Sequence, residues 1–155
     1  MKNNPINISN QGTAFYYAAL RCSEKIPNGP NNWQWLMVPA NVCFAFSIEL
    51  NLKAITFLEE HSPARKHNIK SLFDSINGKT KTKLIAATQG VNKDAFRNEI
   101  KEISNVFDEL RYYYELENLN INVNFLIKFA EVCENISNDM ISPLPRRPQT
   151  PVKTG

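Results

Sequence analysis

Residues 39–60, PANVCFAFSIELNLKAITFLEE, limit the possible folds of this chain more than any other part of its sequence. Apolar residues surround most of the helical circumference, a pattern typical of a central helix that contacts several neighbours. Pro39 suits the first turn of such a helix, where its missing N–H would have no partner. The sequence therefore predicts a buried helix over 39–60, ended by Pro63, with other helices packed around it.

The polar residues of this helix recur at steps of three and four residues, which places them on one stripe: Glu49, Lys53, Thr56 and Glu60. Glu49 precedes Lys53 by four residues, the order that favours an ion pair. A polar side chain on so apolar a helix needs a partner. Two interpretations stay open, because the pair could belong to a structural salt-bridge network or to a cleft for a phosphate-bearing ligand.

The N-terminal part of the sequence predicts one helix followed by a turn. We expect a flexible segment over 1–12 and a helix over 13–25, with Ser9 or Asn10 as its N-cap. The sequence IPNGPNN at 26–32 contains the proline and glycine typical of a turn. Because no part of the chain alternates apolar and polar residues at a period of two, a sheet is not expected.

The C-terminal half predicts four further helices and a tail. The apolar spacing places the helices at 66–77, 80–89, 94–114 and 125–140. Gly78 is expected as the left-handed C-cap of the first of these helices. The tail over 142–155 contains prolines and arginines and is expected to be disordered, with a polyproline ligand as the alternative. The chain is therefore predicted as one all-α domain over 13–141, an up-and-down helical bundle of four main helices plus short helices.

The composition of the 155-residue chain, 43% hydrophobic and 21% charged, fits a single globular domain. A net charge of +3 permits contact with nucleic acid, but a dedicated binder usually has a clustered basic patch. Cys22, Cys43 and Cys133 lie far apart without a CxxC pair, which predicts neither a zinc site nor a disulfide framework. Because the sequence shows neither a signal peptide nor a membrane-spanning run, we expect a cytoplasmic protein without membrane contact.

The sequence lacks the common catalytic motifs, such as the P-loop, the zinc-protease HExxH and the nucleophile elbow GxSxG. His61 and His67 are too few and wrongly spaced for a metal site, so neither a metal nor a cofactor is expected. Arg111 and Glu115, four residues apart, form a further candidate pair, because an arginine can grip two phosphate oxygens at once. The predicted polar cluster, a ligand site or a structural network, comprises Glu49, Lys53, His67, Arg111 and Glu115.

Four segments, in this order, resemble the HEPN domain (higher eukaryote and prokaryote nucleotide-binding): FAFSIELNLKAITFLEE, KHNIKSLFDSIN, FDELRYYYE and FLIKFAEVCENI. They contain an ELxLK phrase, a histidine before a short hydrophobic helix, and an RYxYE phrase before the last helix. The resemblance covers residues 39–140, about two-thirds of the chain. It implies a helical, frequently homodimeric bundle from a toxin–antitoxin, phage-defence or RNA-processing system, often with a nucleotidyltransferase as its partner.

Many HEPN proteins are metal-independent RNases whose motif is an arginine followed, after four to six residues, by a histidine. The resemblance places that arginine at Arg111, but the positions that would hold the histidine are Leu116, Glu117 and Asn118. Cleavage of RNA at neutral pH needs a group that titrates near pH 7, which none of these three side chains provides.

This departure from the motif favours a non-catalytic module that binds RNA, a nucleotide or a partner protein. The alternative is an atypical RNase toxin in which Arg111 stabilises phosphate charge and His67 or Glu115 transfers protons. The two functions differ in what they require of the polar cluster. An enzyme needs it to face a solvent-open cleft, ideally across a two-fold axis, whereas a dry and mutually paired cluster indicates a structural role.

Overall fold

A computed structural model describes residues 4–89, 92–104 and 121–142, and these residues form a helical bundle with one short hairpin. The described elements are α1 (Pro5–Cys22), β1 (Ile26–Pro27), β2 (Trp33–Gln34), α2 (Met37–Glu60), α3 (Ile69–Ser75), α4 (Gly78–Gln89), α5 (Lys93–Ile103) and α6 (Val123–Ile141). Helix α2 lies at the centre and packs against α1, α3 and α6. The predicted all-α bundle is confirmed.

Helix α2 forms the middle of the core, as its apolar circumference predicts. Its large fully buried side chains are Phe44, Ile48, Leu52 and Ile55, and burying each favours folding by about 1.5–3 kcal/mol. By length and hydropathy α2 could cross a membrane, but most of its apolar window is buried inside the bundle, as in the core helix of a soluble protein. The helix ends at Glu60, before Pro63, because His61 adopts the left-handed conformation with a φ of 56°.

Helix α1 begins at Pro5, so the predicted start at residue 13 was wrong, and residues 5–12 are helical instead of flexible. The Asn4 side chain accepts a hydrogen bond from the Ile6 N–H at 2.9 Å, and Pro5 occupies the first turn. Ser9, predicted as an N-cap, lies inside the helix and is buried. The prediction failed because the first two turns bury small and polar residues, which give no apolar period.

Gly12 allows α1 and α2 to approach each other closely. A β-carbon at Gly12 would stand 2.7 Å from the Asn51 Nδ2 atom. Asn51 is fully buried, and its Nδ2 donates to the Ser47 backbone oxygen at 3.0 Å, which fixes the amide against Gly12. Position 12 therefore requires a residue without a side chain.

The turn predicted at 26–32 is present, and it closes a hairpin that the sequence did not predict. Ile26 pairs with Gln34 and Pro27 with Trp33 in antiparallel register. The Asn28 N–H donates to the Asn32 oxygen at 2.9 Å across the turn. Strands of two residues are too short to show a period of two, so the alternation rule misses them.

The junction between α3 and α4 differs from the prediction. Gly78 was expected as the left-handed C-cap of the helix before it, but it is the first residue of α4 and does not adopt a positive φ. The Asn77 side chain accepts a hydrogen bond from the Thr80 N–H at 2.9 Å and so caps α4. Helix α3 is correspondingly shorter than the predicted range 66–77.

The second half of the core is aromatic. Phe73 of α3 lies 5.1 Å from Phe96 of α5 between ring centroids, and Phe96 lies 5.5 Å from Phe129 of α6. Helix α6 begins at Val123, slightly before the predicted start, because the Asn122 side chain accepts from the Phe125 N–H. Helix α5 is described as far as Ile103, and the remainder of the predicted helix over 94–114 lies outside the described residues, as do residues 143–155.

Candidate functional site

Three members of the predicted polar cluster meet on one side of α2. The Lys53 Nζ atom lies 2.6 Å from Glu49 Oε1, and His67 Nδ1 lies 3.0 Å from the same oxygen. Lys53 Nζ is also 3.2 Å from His67 Nδ1. His67 reaches α2 from the segment between α2 and α3. The structure thus brings together two residues one helical turn apart and a third from a distant part of the sequence.

Burial differs sharply within this trio, which we call the Glu49 cluster (Glu49, Lys53 and His67). The side chains of Glu49 and Lys53 are 10% and 15% exposed, whereas that of His67 is 82% exposed. The carboxylate and the ammonium therefore satisfy each other in a largely dry environment. His67 lies on the solvent side of this pair. Depending on its tautomer, its Nδ1 can donate to Glu49 or accept from Lys53.

The other two predicted members, Arg111 and Glu115, lie outside the described residues. The same holds for Leu116, Glu117 and Asn118, the positions at which the RNase histidine would be expected. The convergence predicted for five side chains is therefore seen for three of them, and the contribution of Arg111 and Glu115 stays a prediction.

A second charged group, not predicted from the sequence, lines a cleft between α3, α4 and α5. The cleft has a volume of about 350 Å³. Its floor is apolar and its rim carries five cations and one carboxylate. We call this site the basic cleft, and its charged residues are Lys70, Asp74, Lys81, Lys93, Arg97 and Lys101.

Asp74, the one carboxylate that the described residues contribute to the basic cleft, neutralises only part of its positive charge. Asp74 Oδ2 binds Lys70 Nζ at 2.6 Å, in a pair that is about half exposed. Lys81 Nζ donates to the backbone oxygen of Asp74 at 2.7 Å, a contact that leaves its charge uncompensated. Among the described residues, Lys93 and Lys101 form no ion pair. The rim therefore carries an excess of positive charge.

The sequence does contain a signal for this cleft. Lys93, Arg97 and Lys101 follow each other at intervals of four residues, which places them on one face of α5. One acid of α5, Asp94, lies 3.9 Å from Arg97 in a highly exposed ion pair. Glu99 instead accepts from Asn122 Nδ2 at 2.8 Å. The overall net charge of +3 conceals this separation, because acids elsewhere balance the cations of the rim.

A buried polar seam between α1 and α6 is a further feature that the sequence analysis missed. Ser137 Oγ donates to Ser9 Oγ at 2.8 Å, and Thr13 Oγ1 donates to Glu134 Oε1 at 3.1 Å. Asn138 Nδ2 also donates to Glu134 Oε1. The polar side chains of the two helices satisfy one another's hydrogen bonds across the interface. The seam therefore fixes how α1 lies on α6 and offers no open site.

Burial makes Cys43 and Cys133 poor candidates for a reactive thiol. Burial raises the pKa of the Cys133 thiol well above its ordinary value of 9.0, and burial with the nearby Cys22 raises that of Cys43. A raised thiol pKa lowers the fraction of nucleophilic thiolate. No group of histidine, cysteine and acidic side chains suited to a metal ion occurs in residues 4–89, 92–104 and 121–142.

No family model, curated protein or solved structure matches this chain. The geometry of the Glu49 cluster and of the basic cleft, together with the resemblance of the four sequence segments, is therefore what indicates a function.

Proposed function

We propose that this chain is a non-catalytic helical module that binds RNA through the basic cleft. The observation that carries the proposal is the charge of the rim, where five cations face one carboxylate. Phosphate contacts supply most of the affinity of proteins for nucleic acid, and lysine and arginine make those contacts. The proposal narrows the expectation from the HEPN resemblance, in which RNA, a nucleotide or a partner protein were all possible ligands.

The floor of the basic cleft supports the same ligand class. Phe73, Ile85 and Ile100 line it beneath the cationic rim. A volume of about 350 Å³ lies at the lower end of the range for small-molecule sites. It suits a single nucleotide unit, whose base or ribose would cover the apolar floor while its phosphates meet the rim.

The Glu49 cluster supports the non-catalytic part of the proposal. Glu49 and Lys53 are nearly dry and compensate each other, so neither side chain is free to stabilise a phosphate or a transition state. A residue that binds ligand must exchange its protein contacts for ligand contacts. Four of the five cations of the basic cleft are exposed, and the two ion pairs that they form with described residues, Lys70–Asp74 and Arg97–Asp94, are themselves exposed. These cations can therefore exchange their contacts at lower cost.

The test compares two double variants that remove the same charge. Arg97→Gln with Lys101→Gln removes two cations from the basic cleft, whereas Lys79→Gln with Lys83→Gln removes two from a separate hollow beside Met140. Fluorescence anisotropy with a short labelled single-stranded RNA measures the affinity of each. We expect the cleft variant to bind on the order of tenfold more weakly, and its salt slope to fall by about 1.4, or about 0.7 per phosphate contact.

Two further arms of this experiment separate RNA from simpler anions. Competition by ATP at the affinity of the RNA would indicate a mononucleotide site, and equal competition by polyphosphate would indicate unspecific anion binding. Equal losses in the two double variants would contradict the assignment of the cleft. If the wild-type protein binds no RNA at low salt, the proposed function is wrong.

The resemblance adds two partner proposals and a biological setting. We propose a homodimer, which sedimentation equilibrium tests directly, and a nucleotidyltransferase partner, which co-purification with the product of a neighbouring gene tests. A toxin–antitoxin or defence role predicts that such a neighbour exists.

A second candidate function, the atypical RNase, draws support from one contact. With its Nδ1 proton donated to Glu49, His67 would present Nε2 to solvent as a base, the orientation used in catalytic dyads. This function predicts that expression arrests growth and that His67→Ala relieves the arrest. His61→Ala is the matched control, because His61 is the only other histidine of the chain. Equal behaviour of the wild type and both variants would exclude His67 as the base.

A further inference from the structure

The exposed large hydrophobic residues of the described chain are concentrated in one stretch, residues 17–35. They are Tyr17, Leu20, Ile26, Trp33 and Trp35. Trp33 is 52% exposed and Trp35 is 60% exposed, although tryptophan is usually well buried. Two exposed tryptophans only two positions apart indicate a binding surface rather than incomplete packing.

The two tryptophans share one side of the hairpin, together with a cation. The Lys25 Nζ atom lies 4.5 Å from the centroid of the Trp33 ring and 5.7 Å from that of Trp35. Both distances lie within the range of a cation–π contact. Because one ammonium reaches both rings, the rings must face the same space, and we call these three residues the tryptophan platform.

The turn of the hairpin holds the platform in place. Besides the bond from Asn28 to Asn32, the Asn32 N–H donates to the Gly29 oxygen at 3.3 Å and the Trp33 N–H to Asn32 Oδ1 at 2.9 Å. Gly29 and Asn31 adopt positive φ values of 100° and 58°, as a tight turn requires. The rings are therefore presented by a structured backbone, which lowers the entropic cost of binding.

We propose that the tryptophan platform stacks bases of single-stranded RNA, with Lys25 on an adjacent phosphate. The inference rests on the proposed function, because it adds a base-contacting surface to a protein that holds RNA phosphates elsewhere. Every base has a π-face, so exposed aromatic rings bind single strands without sequence preference. Asn28 and Asn31 lie in the turn that precedes the rings, and their amide groups can donate to and accept from base edges.

The charge of this surface favours RNA over a membrane. Residues 17–35 contain two cations, Arg21 and Lys25, and the acid Glu24, which binds Arg21 at 3.0 Å. Docking on an anionic bilayer usually needs a cluster of about four to eight basic residues. Within residues 17–35 the one acid pairs with Arg21, so the charge of Lys25 is left for one phosphate beside stacked bases.

The chain provides its own probe for this proposal, because Trp33 and Trp35 are its only tryptophans. Intrinsic tryptophan fluorescence therefore reports the platform alone. The experiment titrates the full chain with an adenine-rich single-stranded RNA and with an abasic strand of the same length, and it records fluorescence and anisotropy together. We expect the RNA, but not the abasic strand, to quench the tryptophans.

Variants identify the stacking residue. Trp35→Ala should weaken RNA binding by about fivefold or more and leave the abasic strand unaffected. Trp35→Phe should restore most of the loss, because it retains an aromatic ring. Tyr17→Ala is the matched control, since Tyr17 is also 60% exposed. It should bind RNA like the wild type.

The outcomes separate this proposal from the proposed function. Anisotropy changes without quenching, or unchanged RNA affinity in Trp35→Ala, would overturn the platform and leave the basic cleft in place. No anisotropy change at all would overturn both. A blue shift of the fluorescence with phosphatidylserine vesicles and no response to RNA would assign the surface to a membrane. Self-association that Trp35→Ala abolishes, without quenching by RNA, would assign it to a second copy of the chain.

Discussion

The α1–α2 region and the α3–α4–α5 region use charge and close packing in opposite ways. In the first, Glu49 and Lys53 pair in a nearly dry environment, and Gly12 brings two helices into close contact. In the second, five cations surround a cleft with one carboxylate. A paired buried charge is costly to separate from its partner, whereas an exposed excess of one sign attracts ligands of the opposite charge. This contrast is why we assign a structural role to the first region and propose the second as the binding site.

The largest expected loss of stability comes from breaking the Glu49–Lys53 pair of the first region. Glu49→Ala leaves the Lys53 ammonium largely buried without its carboxylate, and we expect a loss of about 3 kcal/mol in the free energy of unfolding. Urea denaturation measures it. The matched control is Lys70→Ala, which removes a pair of the same spacing and the same 2.6 Å distance that is about half exposed. It should cost under about 0.5 kcal/mol. Equal losses would contradict the proposed difference between the two regions.

The next effect concerns the packing of α1 on α2. Gly12→Ala forces a β-carbon against the fixed Asn51 amide, and we expect a loss of about 2 kcal/mol. Gly78→Ala is the control in the second region, where nothing lies within 4 Å of the new atom. It should be neutral or stabilise by about 0.5 kcal/mol, because alanine restricts the unfolded chain. Thermal unfolding of both variants tests this, and a harmless Gly12→Ala would show that α1 can move away from α2.

A smaller effect depends on pH and on the Cys133 thiol in the core. Because burial raises its folded-state pKa well above 9.0, the unfolded chain releases the proton first as the pH rises. Stability from this group is complete below pH 9 and then falls by about 1.4 kcal/mol per pH unit until the folded thiol ionises. Cys133→Ala should lose this part of the alkaline slope in urea denaturation. An unchanged slope would mean that the thiol reaches solvent before unfolding.

The smallest effect is expected from removing charge at the basic cleft. Arg97→Gln with Lys101→Gln should change the free energy of unfolding by less than about 0.5 kcal/mol, since both side chains are exposed. Urea denaturation, as for Glu49→Ala, measures this change, so the stability losses of the two regions can be compared directly. A large loss here would indicate that the cations stabilise the fold and would weaken the case for a ligand.

The fold was predictable to the extent that apolar spacing determines it. Residues 39–60 predict the core helix because nearly every face of that helix is buried, and the Glu49–Lys53 pair follows from a four-residue spacing. The early start of α1 and the role of Gly78 were missed. Both depend on asparagine caps, at Asn4 and Asn77, whose hydrogen bonds leave no trace in hydropathy.

The candidate site was less predictable because it forms between elements. The stripe of Lys93, Arg97 and Lys101 is visible in the sequence, but its meeting with Lys70 and Lys81 depends on how three helices pack. His67 joins Glu49 across 18 positions for the same reason. The sequence also does not show whether Trp33 and Trp35 lie in the core or at the surface, because their exposure depends on the folded chain.

The segment that follows α2 connects the two regions mechanically. His67 is tied to Glu49, and directly after it Asn68 Nδ2 donates to the Ser104 oxygen at 3.3 Å while the Lys70 N–H donates to Ser104 Oγ at 3.1 Å. The four consecutive residues 67–70 thus link the middle of α2 to the C-terminal end of α5 through hydrogen bonds. Because Lys70 also lines the basic cleft, this short segment joins the Glu49 cluster to the rim by a continuous series of contacts.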